Sequence, residues 1–119
     1  MIGQEKLDFA QNLLQKDFSE KIFSISRDIY KPVLHVIFKN RINFYIRYND
    51  FGEYSYQIVF SQKSLDRIRY DNYDSQWKVN SKPNHVHLRF DDKGGKSEMN
   101  GIPSHDIPLL IQIIHDFSG

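Results

Sequence analysis

The sequence predicts an α+β domain: an antiparallel sheet of about five strands in a meander, packed on one face by an N-terminal helix and a C-terminal helix. Three observations carry that prediction. Apolar residues recur at intervals of three or four from Leu7 to Ile29, and they do so again from Ile107 to Phe117. From Val33 to Asp71, and again from His85 to Phe90, the strand segments repeat with period two, the repeat of a strand with one buried face. A chain of 119 residues has room for one core, so residues 1–119 are read as a single domain.

Leu7, Ala10, Leu14, Phe18, Ile22, Ile25 and Ile29 define the first helical region, with a break near Ser19 where a serine can cap a new start and an end at Pro32. A competing reading gives Lys21 to Ile25 to a strand, because Phe23 alternates with Ile25; the helix is preferred. Val33 to Lys39 and Ile42 to Asn49 read as strands joined across Asn40 and Arg41 as a hairpin. Asn49 to Gly52 supplies turn chemistry before a third strand, Glu53 to Ser61, with Tyr54, Tyr56, Ile58 and Phe60 on one face. Gln62 to Ser64 leads to a fourth strand, Leu65 to Asp71. Asn72 to Asn84 has no period and reads as a loop with Trp77 and Val79 tucked against the core.

The fifth predicted strand is His85 to Phe90, which alternation divides into a polar face of His85, His87 and Arg89 and an apolar face of Val86, Leu88 and Phe90. Asp91 to Lys96 is read as a glycine-bearing turn, since its Gly-Gly-Lys lacks the spacing of a phosphate-binding loop. In the last helix Ile107, Leu110, Ile111, Ile114 and Phe117 share a face, Asp106 is the expected N-cap, and Pro108 falls in the first turn.

Composition narrows the function classes. No window reaches the roughly 20 apolar residues of a membrane span, and the first residues lack the apolar stretch of a secretory signal, so no membrane association and a cytoplasmic location are expected. The absence of cysteine excludes disulfides, thiolate catalysis and Cys-based zinc sites. The net charge is only +1, yet Lys31 to Phe90 holds ten Lys and Arg against five Asp and Glu, while Asp91 to Gly119 holds two against five. The basic middle also contains 12 of the 17 aromatic residues. Cations interleaved with aromatic rings suit single-stranded nucleic acid, through phosphate contact and base stacking; the alternative is a packed core beneath a solvated face.

If the helices cover one side of the sheet, the other is assembled from Tyr45, Arg47, Arg67, Arg69, His85, His87 and Arg89. Metal-independent RNA cleavage needs a base for the 2′-hydroxyl, an acid for the leaving 5′-oxygen and a cation for the phosphate. Two histidines and an arginine have the chemistry for those roles. His85 and His87 are the expected proton-transfer pair with Arg69 or Arg89 on the phosphate, and Tyr45, Arg47, Arg67 and Arg89 are expected to bind the strand. His105 could replace either histidine, whereas His35 and His115 read as a strand residue and a solvated helix position. Same-face histidines can also chelate zinc, but only Asp71, Asp91 and His105 could complete the set and the arginines repel a cation. No metal and no cofactor are expected.

The run RIRYDN, Arg67 to Asn72, followed after a loop by PNHVHLRF, resembles the TumE-type toxin family of prokaryotic toxin–antitoxin modules. The likeness extends over roughly Val33 to Phe117 and is most specific at Arg69, Tyr70, Asp71, Asn72, His85 and His87. Where that family carries further histidines after the RYDN strand, this chain has Tyr73, Asp74 and Ser75. The resemblance implies a growth-inhibiting toxin that acts on RNA and is neutralised by a helix-turn-helix antitoxin encoded beside it. Residue chemistry and resemblance together lead to an RNA-directed toxin, a ribonuclease using two histidines. The alternatives are a non-catalytic module binding RNA or protein through the basic aromatic face, and a structural homodimer pairing through the sheet.

Overall fold

The computed structural model describes residues 2–28, 30–72, 84–91 and 94–118. Among these residues, helix α1 (Gly3–Asp17) and a 3-10 turn (Ser19–Lys21) precede seven strands: β1 (Ile22–Arg27), β2 (Val33–Phe38), β3 (Asn43–Tyr48), β4 (Tyr54–Val59), β5 (Arg67–Asp71), β6 (His85–His87) and β7 (Gly94–Lys96). Helix α2 (Pro103–Ser118) closes the fold. The strands lie side by side in chain order, each antiparallel to the next, so the predicted meander and its two helices are present.

Alternation decides which face is covered. Leu34, Val36, Phe38, Phe44, Ile46, Tyr48, Tyr54, Tyr56, Ile58, Ile68 and Tyr70 form one buried cluster with Leu7, Ala10 and Leu14 of α1 and Ile107, Leu110, Ile111 and Ile114 of α2. Each large aliphatic or aromatic side chain moved from water into such a cluster contributes about 1.5–3 kcal/mol. The hydroxyls of Tyr48, Tyr54 and Tyr56 enter this core with hydrogen-bond partners. Tyr48 donates to the Tyr56 hydroxyl (2.7 Å), which donates to Asp106 Oδ2 (2.7 Å), and the Tyr54 hydroxyl donates to Asn84 Oδ1 (2.6 Å). Asp106 is wholly buried and also accepts from the backbone N–H of Gly101 (2.7 Å) and Asn100 (3.1 Å). It thereby ties the approach to α2 onto β4.

Two glycines permit close approaches. A Cβ on Gly3 would stand 2.7 Å from the Tyr48 carbonyl oxygen, where the start of α1 meets the end of β3. Gly101 has φ +84, and its Cβ would stand 2.7 Å from the Tyr54 ring.

Several expectations are corrected. The first helix stops at Asp17, and Ile22 to Arg27 is a strand, overlapping the Lys21 to Ile25 strand of the competing reading. Its register shifts between Ile22 and Ser24, so Ile22 pairs with Phe38 and Ile25 with Val36 on the same face. That bulge puts same-face apolar residues three apart, which imitates a helical interval. Gly94 to Lys96 is a seventh, edge strand rather than a turn. The strand that begins at His85 ends at His87: Leu88 and Phe90 are exposed instead of core, and Phe90 takes φ 58 while its N–H donates to Leu65 O (2.7 Å). Helix α2 opens at Pro103, the first-turn position that suits a residue without an N–H, so Asp106 lies inside the helix rather than at its N-cap and Pro108 is interior. The positions of Ile29, Trp77, Val79, Asp92 and Lys93 fall outside the described residues.

Candidate nucleic-acid interface

Strand register converts the uncovered face into transverse rows. One runs Ser26, His35, Tyr45, Gln57, Arg69, His87, Gly94 from β1 to β7. The next runs Val33, Arg47, Ser55, Asp71, His85, Lys96 from β2 to β7. On the other side of the first row lie Asn43, Val59 and Arg67. Neighbouring strands are about 4.8 Å apart, so His35 and His87 stand roughly 19 Å from each other along one line. The face is a track of polar, aromatic and cationic groups.

Six of the seven residues expected on this face are there: Tyr45, Arg47, Arg67, Arg69, His85 and His87. Arg47, Arg67 and Arg69 are exposed, and Tyr45, His85 and His87 are half-buried. Arg89 is not among them. With the strand ended at His87, alternation no longer governs its direction; Arg89 Nε donates to Asp66 Oδ1 (2.6 Å), and its guanidinium lies 4.4 Å from the Phe60 ring centre and 4.8 Å from that of Phe117. These contacts hold the β4–β5 connection against the end of α2. His105 is also elsewhere, on α2, with Nδ1 donating to Asp106 Oδ1 (2.7 Å).

The histidine corner is built by β5, β6 and β7. His85 is paired in register with Asp71 and His87 with Arg69, and the two histidines, two residues apart on one strand, have Cα atoms about 7 Å apart. Arg69 Nε sits 2.7 Å from Asp71 Oδ2; the Asp71 side chain is 6% exposed and that of Arg69 45%. Asp71 thus orients an arginine that still faces solvent. On the outer side, Lys96 is exposed opposite His85, and a Cβ on Gly94 would lie 3.3 Å from His87 Cε1. The missing side chain at Gly94 gives the His87 ring its place.

Two contributors went unrecognised in the sequence. The sequence pattern puts Lys96 in a turn and makes His35 a strand residue without company. His35 and Tyr45 stack with ring centres 4.3 Å apart and planes 9° from parallel, while His35 Nε2 bonds Asn43 Oδ1 (2.7 Å). Only lateral register brings these residues to the face, and register is invisible to a linear pattern. Beside Tyr45 the surface falls into an open groove of about 560 Å³, bordered by Arg47, Gln57, Lys63 and Arg67.

Among the described residues, no group of three or more His, Asp or Glu side chains is placed to hold a metal ion, and no helix is long and apolar enough to cross a membrane. Comparison with protein families, with curated proteins and with solved structures finds no match to this chain.

Proposed function

We propose that the chain acts on single-stranded RNA, binding it along the open face of the sheet and cleaving it at the histidine corner. The observation that carries this reading is the register row that sets a stacked aromatic pair, His35 and Tyr45, in line with Arg69 and His87, flanked by Arg47, Arg67 and Lys96. Flat rings offer base stacking without demanding one sequence, and exposed cations on both sides offer phosphate contact. At the corner, His85 and His87, two apart on one strand face, serve as base and acid for attack by the 2′-hydroxyl, with Arg69 and Lys96, their neighbours in register, on the phosphate charge. Growth inhibition through RNA and capture by a helix-turn-helix antitoxin are the physiological setting implied by the RYDN and His-Val-His likeness.

The test is binding and cleavage of a fluorescent single-stranded RNA without divalent metal. Its control is the same strand carrying a deoxynucleotide at the cleaved position. Cleavage of the first only, lowered about 10²–10⁴-fold in His87→Ala, fits internal transfer with a general acid or base removed. In cells the same substitution relieves growth inhibition.

One observation favours a second reading, a binding module without catalysis: Arg69 is neutralised by Asp71, and the His87 ring packs over Gly94. It predicts salt-sensitive RNA binding, through counterion release, with the strand left intact.

A further inference from the structure

We infer that the groove beside Tyr45 is a subsite for one nucleotide, which reads its base through Gln57; the inference rests on the RNA-binding reading and names what that face recognises. His35 occupies one side of the Tyr45 ring, at 4.3 Å and nearly parallel. Rings stacked between adjacent strands stand on edge above the sheet. The other side of Tyr45 therefore faces the neighbouring strand, where Gln57 is its partner in register and where the groove of about 560 Å³ lies. A base entering edge-on continues the stack of His35 and Tyr45 and brings its hydrogen-bonding edge down to the Gln57 carboxamide.

The walls supply the rest of a nucleotide site. Arg47 and Arg67 lie on either side of the row that contains Gln57, and Lys63 comes from the β4–β5 connection. Among the described lining residues the one carboxylate, Asp66, is engaged by Ser61 and Arg89, so the cations Arg47, Lys63 and Arg67 face the opening beside an anion that already has partners. A carboxamide offers one donor and one acceptor side by side, the pattern by which a glutamine pairs with the N6 and N7 edge of adenine. The groove thus selects an adenine nucleotide, held by stacking and by its phosphate.

Titration of the full chain with the four nucleoside 5′-monophosphates and with inorganic phosphate, followed by amide chemical shifts, tests this. The expected result is saturable shifts at Tyr45, Gln57 and Arg67 that are tightest for the adenine nucleotide, with inorganic phosphate much weaker. Tyr45→Ala weakens binding roughly tenfold or more, as loss of a stacking platform does, whereas Tyr45→Phe retains it; Gln57→Ala abolishes the preference among bases while binding persists. Retained dispersion of the amide spectrum verifies that each variant is folded. The inference is overturned if the nucleotides bind no better than phosphate, or if Gln57→Ala keeps the same preference. RNA binding measured in parallel separates the two levels: RNA bound while nucleotides ignore the groove removes the subsite alone. Nucleotide binding without RNA binding keeps the subsite and removes the wider reading.

Discussion

Asp71 holds Arg69 on the open face through a 2.7 Å contact between Oδ2 and Nε, with the carboxylate buried and the guanidinium nearly half exposed. Removing the carboxylate charge leaves the arginine in water, so Asp71→Asn is expected to cost about 1 kcal/mol or less in stability. Arg69 then meets the phosphate without a carboxylate offsetting its charge. RNA binding tightens at low salt, and the slope of log K against log salt steepens by up to about 0.7, the value of one full phosphate contact on a single strand. Anisotropy titrations at several salt concentrations measure both.

Arg89 is expected to be structural. It is the first cause of the depressed Asp66 carboxyl, with the Ser61 hydrogen bond adding to it, and Asp66 ionises below its ordinary value of 3.8. A carboxyl with a lowered folded pKa contributes stability that is complete above pH 3.8 and is lost as pH falls through the folded value. Arg89→Ala should therefore lower the melting temperature at neutral pH, with the gap to the parent shrinking below about pH 4. The salt slope of RNA binding should not change. Thermal melts from pH 2 to 7 give the first comparison and anisotropy the second.

Gly94 sets the position of His87. An added Cβ would lie 3.3 Å from His87 Cε1, and the glycine sits on an exposed edge strand. Gly94→Val should displace the ring and reduce RNA cleavage about tenfold or more, since small misplacements of a catalytic group carry large rate penalties. RNA affinity and melting temperature should stay close to those of the parent. Single-turnover cleavage alongside equilibrium binding separates these effects.

The buried tyrosines predict alkaline instability. Burial pushes the hydroxyls of Tyr48, Tyr54, Tyr56 and Tyr70 above their ordinary value of 10.0. The folded chain keeps these protons where the unfolded chain releases them, so stability declines as pH rises past 10. Absorbance at the phenolate band should show these four groups ionising together, at the pH where circular dichroism reports unfolding. Tyr56→Phe removes the bridge between Tyr48 and Asp106 and should cost about 1–3 kcal/mol at neutral pH, because buried polar atoms lose a partner.

The middle of the sheet was legible because core residues take every second position of β3, β4 and β5 (Phe44, Ile46, Tyr48; Tyr54, Tyr56, Ile58; Ile68, Tyr70), so Tyr45, Arg47, Arg67 and Arg69 could be assigned to the other face. Strand β1 was hidden by its bulge, which spaces Ile22 and Ile25 as a helix would. Gly94 and Gly95 have no side chains to show a period, and their pairing with His87 and Val86 is a tertiary fact. Arg89 was misplaced for a similar reason: its partner Asp66 is 23 residues away, and nothing local marks His87 as the strand's last residue. His35 and Lys96 join the site only through neighbouring strands.

The most direct test is amide chemical-shift mapping of the isotopically labelled chain titrated with a single-stranded RNA. RNA on the open face shifts residues of the transverse rows, from His35 and Tyr45 through Gln57 and Arg69 to His87, in a salt-dependent manner. It leaves α1 and α2 unmoved. Shifts concentrated on the helices, or a spectrum unchanged by saturating RNA at low salt, would contradict it.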